Sequence, residues 1–520
     1  MKAWLPGIAS RLRSRGSRVV AGSVLAAAAL TLFLNSPRIW VWAGLTVPDE
    51  MLAKEPEIHR AQYLLTQFDR PWDAIPGLER TSDFVIQWRL FLPVAGHYLG
   101  LSHAQYLALP FAGCIAALGL IAGLLWKRLG RPWLVFGGTL IAANCSWFFV
   151  STGWLGYEDS WLVFALVAAS FARSRLALAA IALAAPWVDE RFILSFPLVL
   201  GVRLLDGEAA GDRKALLRDG AALVLGIAPY LLVRAGAEWL GARATTHAYW
   251  NSMASRKATG MQLLMGGWHG LRAGWGCVAA LAWFGAARAG GVRRFAMAAA
   301  GIIAAVLVNL LLVEDLSRSI SVLLPAVVAG IIAGAAARPR AAGWGIAVLC
   351  AASLALPARH VLSVFEVPIE WLPTELAHWR AMPDFRSAEY RIGQGYASLQ
   401  RSDPENALEW FESALAAAPE SWEARANRGV LLCSFAGNPE EGFSELGRAL
   451  RQDPAALDRI IGGNPDLLDA RLVRANLRMR AGDVAGARDD LRHLLRKAPM
   501  GSTLWDQAEA ALAEVESIAR

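Results

Sequence analysis

The chain has 520 residues, of which 55% are hydrophobic and only 18% are charged, whereas ordinary soluble domains carry roughly 25% charged residues. This composition excludes a soluble globular protein over most of the chain. The formal net charge of +7 does not indicate nucleic-acid binding, because many Lys and Arg residues lie in short loops between apolar runs, where they reflect membrane topology.

The chain begins with a basic segment, residues 1–18, followed by an apolar run. No small-residue cleavage site follows this run, so we predict an uncleaved first span and not a signal peptide. A helix needs about 20 apolar residues to cross a bilayer. The apolar runs predict a membrane domain over residues 19–357, with about 10–12 spans. The main spans are placed near residues 19–45, 105–126, 132–152, 219–235, 274–287, 295–313, 320–337 and 342–357.

The number of spans is open around residues 158–205, where the apolar stretches are short. Stretches 176–188 and 192–205 predict either one helix or two short helices that meet at the charges between them. We favour two helices, because a single span would hold Asp189, Glu190 and Arg191 at bilayer depth, where charges are expensive.

Basic loops are expected on the cytoplasmic side of the membrane. The loops concerned contain Lys127, Arg128, Arg131, Arg173, Arg175, Arg213, Lys214, Arg218, Arg288, Arg293, Arg294, Arg338 and Arg340. Alternation of the spans then places four acidic pairs on the outer face, namely Asp49–Glu50, Glu158–Asp159, Asp189–Glu190 and Glu314–Asp315. The predicted location is the cytoplasmic membrane of a bacterium, which the bias to Ala, Arg and Gly indicates, with the N-terminus in the cytoplasm.

Two predicted outer segments, residues 46–104 and 234–273, are too long to be simple connections, and both mix aromatic with polar residues. Because Trp and Tyr favour the headgroup level, these segments predict helices that lie on the membrane surface. A cradle for a substrate is the alternative. His247 and His269 in the second segment are further candidates for acid–base chemistry, although each is also typical of a structural residue.

The region after the last span divides into a predicted linker, residues 358–386, and a helical domain, residues 387–520. Small, aromatic and closing proline positions recur in the second part, at Gly395, Ala407, Phe411, Ala414 and Pro419; Gly429, Gly442, Leu446, Ala449 and Pro454; and Ala475, Ala487, Leu491 and Pro499. These residues resemble the tetratricopeptide repeat family, which implies a domain that binds a protein or peptide partner; a packing spacer is the alternative.

The resemblance has one departure, because Arg391 and Ser398 stand where the family has an early Trp and Tyr. The final segment, residues 502–519, is expected to cap the array. The predicted fold class is therefore all-α: a polytopic transmembrane helix bundle followed by a tetratricopeptide-type α-solenoid, which the topology places outside the cytoplasm.

Three acidic segments carry a second resemblance: Pro48–Glu50 after the first span, Gly156–Asp159, and Trp187–Phe192. Together with the many spans, they resemble the GT-C superfamily of polytopic membrane glycosyltransferases, which use sugar donors linked to a lipid phosphate. The resemblance covers residues 19–357 and depends on topology and acidic placement.

This second resemblance implies roles for the charged residues. Asp49 or Glu50 would be the catalytic base that deprotonates an acceptor hydroxyl. Glu158 and Asp159 would position the acceptor or hold Mg²⁺ or Mn²⁺, although many members of the superfamily work without a metal. Arg191 and Arg318 would hold the donor phosphate. The predicted substrate site also includes Asp189, Glu190 and Asp315, while the spacing of Asp315 and Arg318 equally fits a local ion pair.

Three other functions remain open at this point. A non-catalytic membrane scaffold would use the repeats to assemble envelope proteins. A polymerase or ligase of surface polysaccharide would need basic and His residues in segment 234–272. A secondary transporter would have inverted repeats, which the sequence does not display. The sequence has no Walker-type loop, so an ATP-driven pump is disfavoured.

Overall fold

The computed structural model describes residues 15–39, 42, 56–75, 86–205, 213–240, 258–288, 291–312, 315–362, 366–381, 387–400, 403–463 and 468–518. The described residues form two compact units, residues 15–381 and 387–518. Both units are built almost entirely of helices. The predicted all-α class is therefore confirmed.

The first unit contains nineteen helices with these bounds: α1 Arg15–Leu34, α2 Pro56–Asp69, α3 Phe91–Tyr98, α4 His103–Leu107, α5 Leu109–Leu129, α6 Pro132–Ala143, α7 Ser146–Gly153, α8 Asp159–Phe171, α9 Arg175–Ala184, α10 Arg191–Leu194, α11 Phe196–Leu205, α12 Arg213–Trp239, α13 Gly260–Leu271, α14 Gly274–Arg288, α15 Val292–Leu312, α16 Leu316–Ser321, α17 Leu324–Ala337, α18 Pro339–Ala355 and α19 Leu372–Ala381. A single 3₁₀ turn over Ala185–Trp187 follows α9. The count covers only the described ranges.

Four of these helical stretches are long and apolar enough to cross a membrane: Arg15–Leu34, His103–Leu129, Lys214–Ala237 and Val292–Leu310. A fifth results if α6 and α7, which are bent by 58° at their junction, form one broken span. Further apolar helices in the described part of the chain have 10–17 residues. These helices fit a membrane protein, and the count of about 10–12 spans stays a prediction.

Several predicted spans nearly coincide with observed helices, namely 274–287 with α14, 295–313 with α15, and 342–357 with α18. The predicted span over residues 132–152 corresponds to the bent pair α6 and α7 and not to one continuous helix. Cys145 adopts an extended conformation between α6 and α7, and this interrupts the helical hydrogen bonding. The side chain of Asn144 beside it bonds to Thr31 in α1 and to the carbonyl of Leu140.

The first predicted span was also too long, because α1 ends at Leu34 and not near residue 45. Ser36 after this helix bonds through its backbone N–H to the carbonyl of Glu370. Around residues 176–205, the structure has separate helices with a break near Asp189, which agrees with the two-helix interpretation.

The interior of the first unit is apolar and closely packed around α5, α6 and α17. Helices α14 and α17 approach most closely at Gly330, where an added Cβ would overlap the carbonyl oxygen of Cys277. The segment that the sequence predicts to be a linker, residues 358–386, carries a short antiparallel sheet. Strands β1 Ala358–Val361 and β2 Glu366–Ile369 pair with Ala358 opposite Ile369.

The second unit consists of helices α20 Ala388–Gln400, α21 Pro404–Ala417, α22 Trp422–Ser434, α23 Pro439–Gln452, α24 Ala456–Gly463, α25 Leu468–Arg480, α26 Val484–Lys497 and α27 Thr503–Ile518. Helices α20 and α21, α22 and α23, and α25 and α26 pack as pairs. Their starts are defined by side-chain caps: Asp403, Ser421, Asn438 and Asp483 each accept a hydrogen bond from a backbone N–H in the first turn of the helix that follows, which satisfies a donor that the helix itself leaves unpaired.

Candidate functional site

The three acidic positions that the structure brings together stand at the starts of helices in the first unit. Asp159 is the first residue of α8, Asp189 precedes α10, and Asp315 precedes α16. The positive end of a helix dipole favours a carboxylate at such positions. All three side chains are nonetheless almost completely buried, so each needs a cationic partner.

Arg191 supplies that partner for two of the carboxylates. Its Nη2 lies 2.6 Å from Oδ1 of Asp159 and 2.6 Å from Oδ2 of Asp189, and its Nε donates to Asp189 over 2.9 Å. The pair with Asp189 is a bidentate fork, which is the strongest arrangement of these groups. Burial would raise the pKa of Asp189, but the guanidinium groups of Arg191 and Arg89 outweigh it and hold this pKa below its ordinary value.

Arg318 extends the network to the third carboxylate. Its Nε donates to Oδ2 of Asp159 over 2.8 Å, and its Nη1 donates to Asp315 over 3.1 Å. Asp159 therefore bridges two arginines that lie far apart in the chain. The guanidinium of Arg318 also lies 4.2 Å from the centre of the Tyr157 ring, a cation–π contact. The predicted cluster of Asp159, Asp189, Arg191 and Arg318 is thus brought together by direct contacts.

A third arginine joins the network, and sequence reasoning missed it. Arg89 donates from Nε and Nη2 to the two carboxylate oxygens of Glu190, over 3.2 and 3.0 Å, and its Nη1 lies 3.4 Å from Asp189. Its side chain is 6% exposed, while that of Glu190 is 21% exposed. Arg89 lies within segment 46–104, where it has no local partner in the sequence that would mark it.

His360 is the other residue that the sequence did not reveal, because it lies in β1 within the predicted linker. Its Nδ1 is 3.1 Å from Oγ of Ser317, and its Nε2 is 3.4 Å from Asp315. Ser317 Oγ is buried and also accepts a hydrogen bond from the backbone N–H of Val361. This geometry holds β1 against α16 and does not present the serine as a nucleophile. Burial opposes ionisation of Asp315, but His360 and Arg318 lower its pKa to about 2.

Glu158 differs from the other acids because no guanidinium of the described residues forms a hydrogen bond or an ion pair with it. Its side chain is buried, and its Oε2 has no hydrogen-bond partner among the described residues. Burial raises the pKa of the Glu158 carboxyl to about 8; Arg89 and Arg60 oppose this shift, and Asp189 and Asp159 add to it. A carboxyl of this kind exchanges a proton near neutral pH.

Glu158 is preceded by a loop that a further arginine supports. Arg60 in α2 donates from Nε to the carbonyl oxygen of Gly156 over 3.1 Å, and its guanidinium lies 4.4 Å from the centre of the Tyr157 ring. Gly156 has φ of +80°, a conformation that an L-residue with a side chain rarely adopts. The position of Glu158 is thus fixed on its N-terminal side by a turn that requires glycine.

Two guanidinium nitrogens of the network lack a hydrogen-bond partner among the described residues, although Nη1 of Arg89 still lies within ion-pair distance of Asp189. Nη1 of Arg191 has no hydrogen-bond partner within the described part of the chain, and this side chain is 2% exposed. Unpaired buried charged donors are rare, because each one loses its hydration without compensation. The network therefore keeps a guanidinium N–H that forms no hydrogen bond within the described part of the chain.

The remaining predicted site residues lie elsewhere. His269 is buried in α13, and no hydrogen bond or ion pair joins it to the network within the described ranges. Asp49, Glu50, Glu314 and His247 lie outside the described residues. Their predicted roles stay predictions.

The described residues do not fit a metal site at this cluster. No group of three or more His, Cys, Asp or Glu side chains in the described ranges is arranged to hold a metal ion. Asp159 and Asp189 direct their oxygens at guanidinium groups, so these oxygens are not free to coordinate a cation.

No protein-family model matches the sequence, and no curated protein matches it.

Proposed function

We propose that the chain is a polytopic membrane glycosyltransferase that moves a sugar from a lipid-phosphate-linked donor to an acceptor at the acidic end of its helix bundle. The acidic end is the end that holds Asp159, Asp189 and Asp315. With the basic loops in the cytoplasm, as the positive-inside rule requires, this end faces the extracytoplasmic side.

One observation carries the proposal. Within a single buried network, Glu158 Oε2 lacks a donor and Arg191 Nη1 lacks an acceptor. A transferase of this class needs one group that takes a proton and one that binds a phosphate. Unpaired buried groups are unfavourable, so a ligand that paired with both would stabilise the network.

The proposed reaction requires a proton acceptor for the nucleophile. The acceptor oxygen bonds to the anomeric carbon of the sugar, the bond from that carbon to the phosphate oxygen breaks, and the lipid phosphate leaves with the electron pair. The hydroxyl proton passes to a carboxylate. Glu158 is the described candidate for that carboxylate; because its pKa is about 8, it can act as a base only in its ionised fraction, which increases as the pH rises towards this value. By resemblance to the GT-C superfamily, Asp49 or Glu50 is the rival candidate.

The phosphate of the donor would be held by arginine. Arg191 has a donor left over after binding Asp159 and Asp189, and Arg89 lies beside the partly exposed Glu190. A phosphate oxygen could accept hydrogen bonds from these N–H groups without displacing any existing hydrogen bond of Arg191. Such charge-assisted bonds strengthen as negative charge develops on the departing phosphate.

The second unit would bind the acceptor or a protein partner, as the resemblance to tetratricopeptide repeats implies. The repeat positions support this assignment. Phe411, Ala407 and Ala414 are fully buried, and a Cβ at Gly395 would lie 2.6 Å from the Phe411 ring. Small residues thus allow the paired helices to approach in the way that this family requires.

The decisive experiment uses the purified full chain in lipid nanodiscs with a panel of polyprenyl-phosphate-linked sugars. Release of polyprenyl phosphate reports transfer whichever sugar is used. Three variants, made one at a time, test the candidate bases: Glu158→Gln, Asp49→Asn and Glu50→Gln. We expect the variant that removes the base to lose at least about 100-fold in the rate of transfer. Asp69→Asn, an exposed carboxylate paired with His103, is the matched control and should retain activity.

The outcomes separate the candidate bases and test the proposal itself. Loss of transfer only in Glu158→Gln identifies Glu158, and loss only in a first-loop variant identifies the residue that the resemblance implies. If the wild-type chain releases no polyprenyl phosphate from any donor in the panel, the transferase proposal is wrong.

A non-catalytic membrane scaffold is the second candidate, and a specific observation favours it. The arginines Arg89, Arg191 and Arg318 are largely neutralised by Asp159, Asp189, Glu190 and Asp315, as in a network that only holds helices together. Deletion of residues 387–520 separates the two candidates. If the deletion abolishes partner binding and every acidic variant remains functional, the scaffold is supported. If sugar transfer depends on the acidic residues, the non-catalytic scaffold is excluded.

A further inference from the structure

A second group of arginines lies at the opposite end of the first unit from the acidic network. Arg338 follows the last residue of α17, Arg340 lies in the first turn of α18, and Arg131 directly precedes α6. These three residues line one shallow depression, which we name the arginine pocket. Each is exposed, and no carboxylate of the described residues pairs with them.

An apolar cleft opens directly beside the arginine pocket. It has a volume of about 220 Å³ and lies between α14, α17 and α18, with walls that include Ala280, Phe284, Gly334 and Leu349. Arg338 and Ala341 line both the cleft and the pocket. The cleft is smaller than the roughly 300–1,000 Å³ of typical small-molecule sites, which suits a narrow, linear apolar group.

Two exposed tryptophans mark this end of the unit as the level of lipid headgroups. Trp344 in α18 is 79% exposed, and Trp133 in α6 is 46% exposed. Trp133 follows Arg131 by two residues, and its ring packs against Gly343. Tryptophan favours the boundary between headgroups and hydrocarbon. These tryptophans favour a position of the arginine pocket at headgroup level, with the apolar cleft on the hydrocarbon side.

We propose that the cleft and the arginine pocket together form a binding site for one anionic phospholipid of the bilayer, with an acyl chain in the cleft and the phosphate on Arg131, Arg338 and Arg340. Charge complementarity identifies the occupant: three cations without a carboxylate partner adjoin an apolar slot, and only a molecule with an anionic head and an apolar tail satisfies both. Basic pockets between membrane helices bind acidic lipid headgroups by the same physics.

The test titrates the purified full chain in detergent with phosphatidylglycerol or phosphatidylcholine and counts bound lipids by native mass spectrometry. We expect one phosphatidylglycerol molecule to bind more tightly than any phosphatidylcholine. The variant Arg131→Gln/Arg338→Gln/Arg340→Gln should lose this preference, since each arginine near the headgroups contributes about fivefold in affinity; the combined loss should be at least about tenfold.

A charge-matched control distinguishes the site from the general basicity of this end. Lys127, Arg218 and Arg293 are exposed residues of the same set of basic loops, and none of them lines the cleft or the pocket. The triple Gln variant of these residues removes the same charge and should bind phosphatidylglycerol like the wild type. An equal loss of phosphatidylglycerol binding in both triple variants would contradict the proposed site.

A second variant tests the cleft without touching the charges. Gly345 lines the cleft, and an added Cβ there meets no atom within 4 Å, so Gly345→Leu fills the space without displacing the backbone. We expect it to weaken phosphatidylglycerol binding, while Gly123→Leu in α5, which also meets open space, should not. Unchanged binding in Gly345→Leu, or full competition by soluble glycerol phosphate, would mean that only a headgroup binds and would overturn the proposal.

Discussion

Helix α17 has arginines near both of its ends, and they have different partners. Arg318, in the short helix before α17, is buried and bonds to Asp159 and Asp315. Arg338, just after the last residue of α17, is exposed and has no carboxylate partner in the described part of the chain. The helix between them has 14 residues and is about 21 Å long, so one helix connects two kinds of arginine site.

This difference shows that burial determines the role of an arginine side chain. A buried guanidinium must be paired, because losing its hydration without a counter-charge is very unfavourable. Pairing makes Arg191 and Arg318 part of the structure that positions Asp159. An exposed guanidinium needs no such partner and stays available for an external anion. Removing charge should therefore have large effects at the acidic end and small effects at the basic end.

The largest effect is expected for Asp159→Asn. This change removes the carboxylate that bridges Arg191 and Arg318 and leaves two buried cations with too few partners. Loss of one partner from a buried ion pair lowers the free energy of unfolding by about 3–5 kcal/mol. Thermal unfolding of the full chain in detergent measures this loss of stability. The amount of protein that remains monodisperse at each temperature reports the unfolding.

The control for this prediction is Asp69→Asn, because Asp69 and His103 form an ion pair in which both side chains are 54% exposed. Exposed pairs contribute at most about 1 kcal/mol. Similar losses in the two variants would contradict the view that burial decides the contribution of a carboxylate.

The second prediction concerns Glu158 and the pH dependence of stability. The pKa of Glu158 is raised by burial to about 8 in the folded chain, above the value of about 4.3 for an exposed glutamate. The folded state therefore holds more protons than the unfolded state between these values, and stability should fall as pH rises from about 4.3 to about 8. Below this window the contribution of Glu158 is fully present.

Comparison with Glu158→Gln isolates this contribution. The variant cannot ionise at this position, so its unfolding temperature should change less than that of the wild type between pH 5 and pH 8, about the window that the two pKa values define. At pH 9 the variant should be the more stable protein. Parallel curves for the two proteins would show that Glu158 has the same protonation state in the folded and unfolded chain over this range and would contradict its raised pKa.

An intermediate effect is expected at Arg272, which is buried but bonded to carbonyl oxygens. Its guanidinium donates to Asn144, Ser353 and Leu356 at the ends of α6 and α18. Arg272→Lys keeps the charge but loses the fork that reaches several carbonyls, and hydrogen bonds to charged groups contribute about 1.5–3 kcal/mol. We expect a loss of about 2 kcal/mol in the free energy of unfolding.

The reference for this variant is Arg359→Lys, since the side chain of Arg359 is 39% exposed and pairs with Glu366. It should change the free energy of unfolding by less than about 1 kcal/mol. If Arg272→Lys is as mild as this reference, the carbonyl contacts at the ends of α6 and α18 do not determine stability, and burial alone does not rank the arginines.

The sequence predicted much of this arrangement where the signal is local. Apolar run length is enough to predict the helices α14, α15 and α18. Asp189 and Arg191 are two residues apart, and Asp315 and Arg318 are three apart, so each pairing is visible in the sequence. The alternative interpretation of Asp315 and Arg318 as a local ion pair is confirmed by their 3.1 Å contact.

The parts that sequence reasoning missed depend on the tertiary arrangement. Arg89 and Glu190 are 101 residues apart, and Arg318 and Asp159 are 159 apart, so nothing in the local sequence joins them. His360 was hidden by the interpretation of residues 358–386 as a linker. The helix break at Cys145 follows from an asparagine side chain that bonds to another helix, and neither Gly nor Pro marks it.

The smallest effect is expected for Arg338→Gln in lipid-free detergent. Because the side chain is exposed and no carboxylate of the described residues pairs with it, its loss should change the free energy of unfolding by less than about 0.5 kcal/mol. Added phosphatidylglycerol should then raise the unfolding temperature of the wild type more than that of the variant, because a ligand stabilises only the form that binds it. A loss of about 2 kcal/mol or more without lipid would mean that Arg338 is a structural arginine like Arg318, and the contrast between the two ends of α17 would fail.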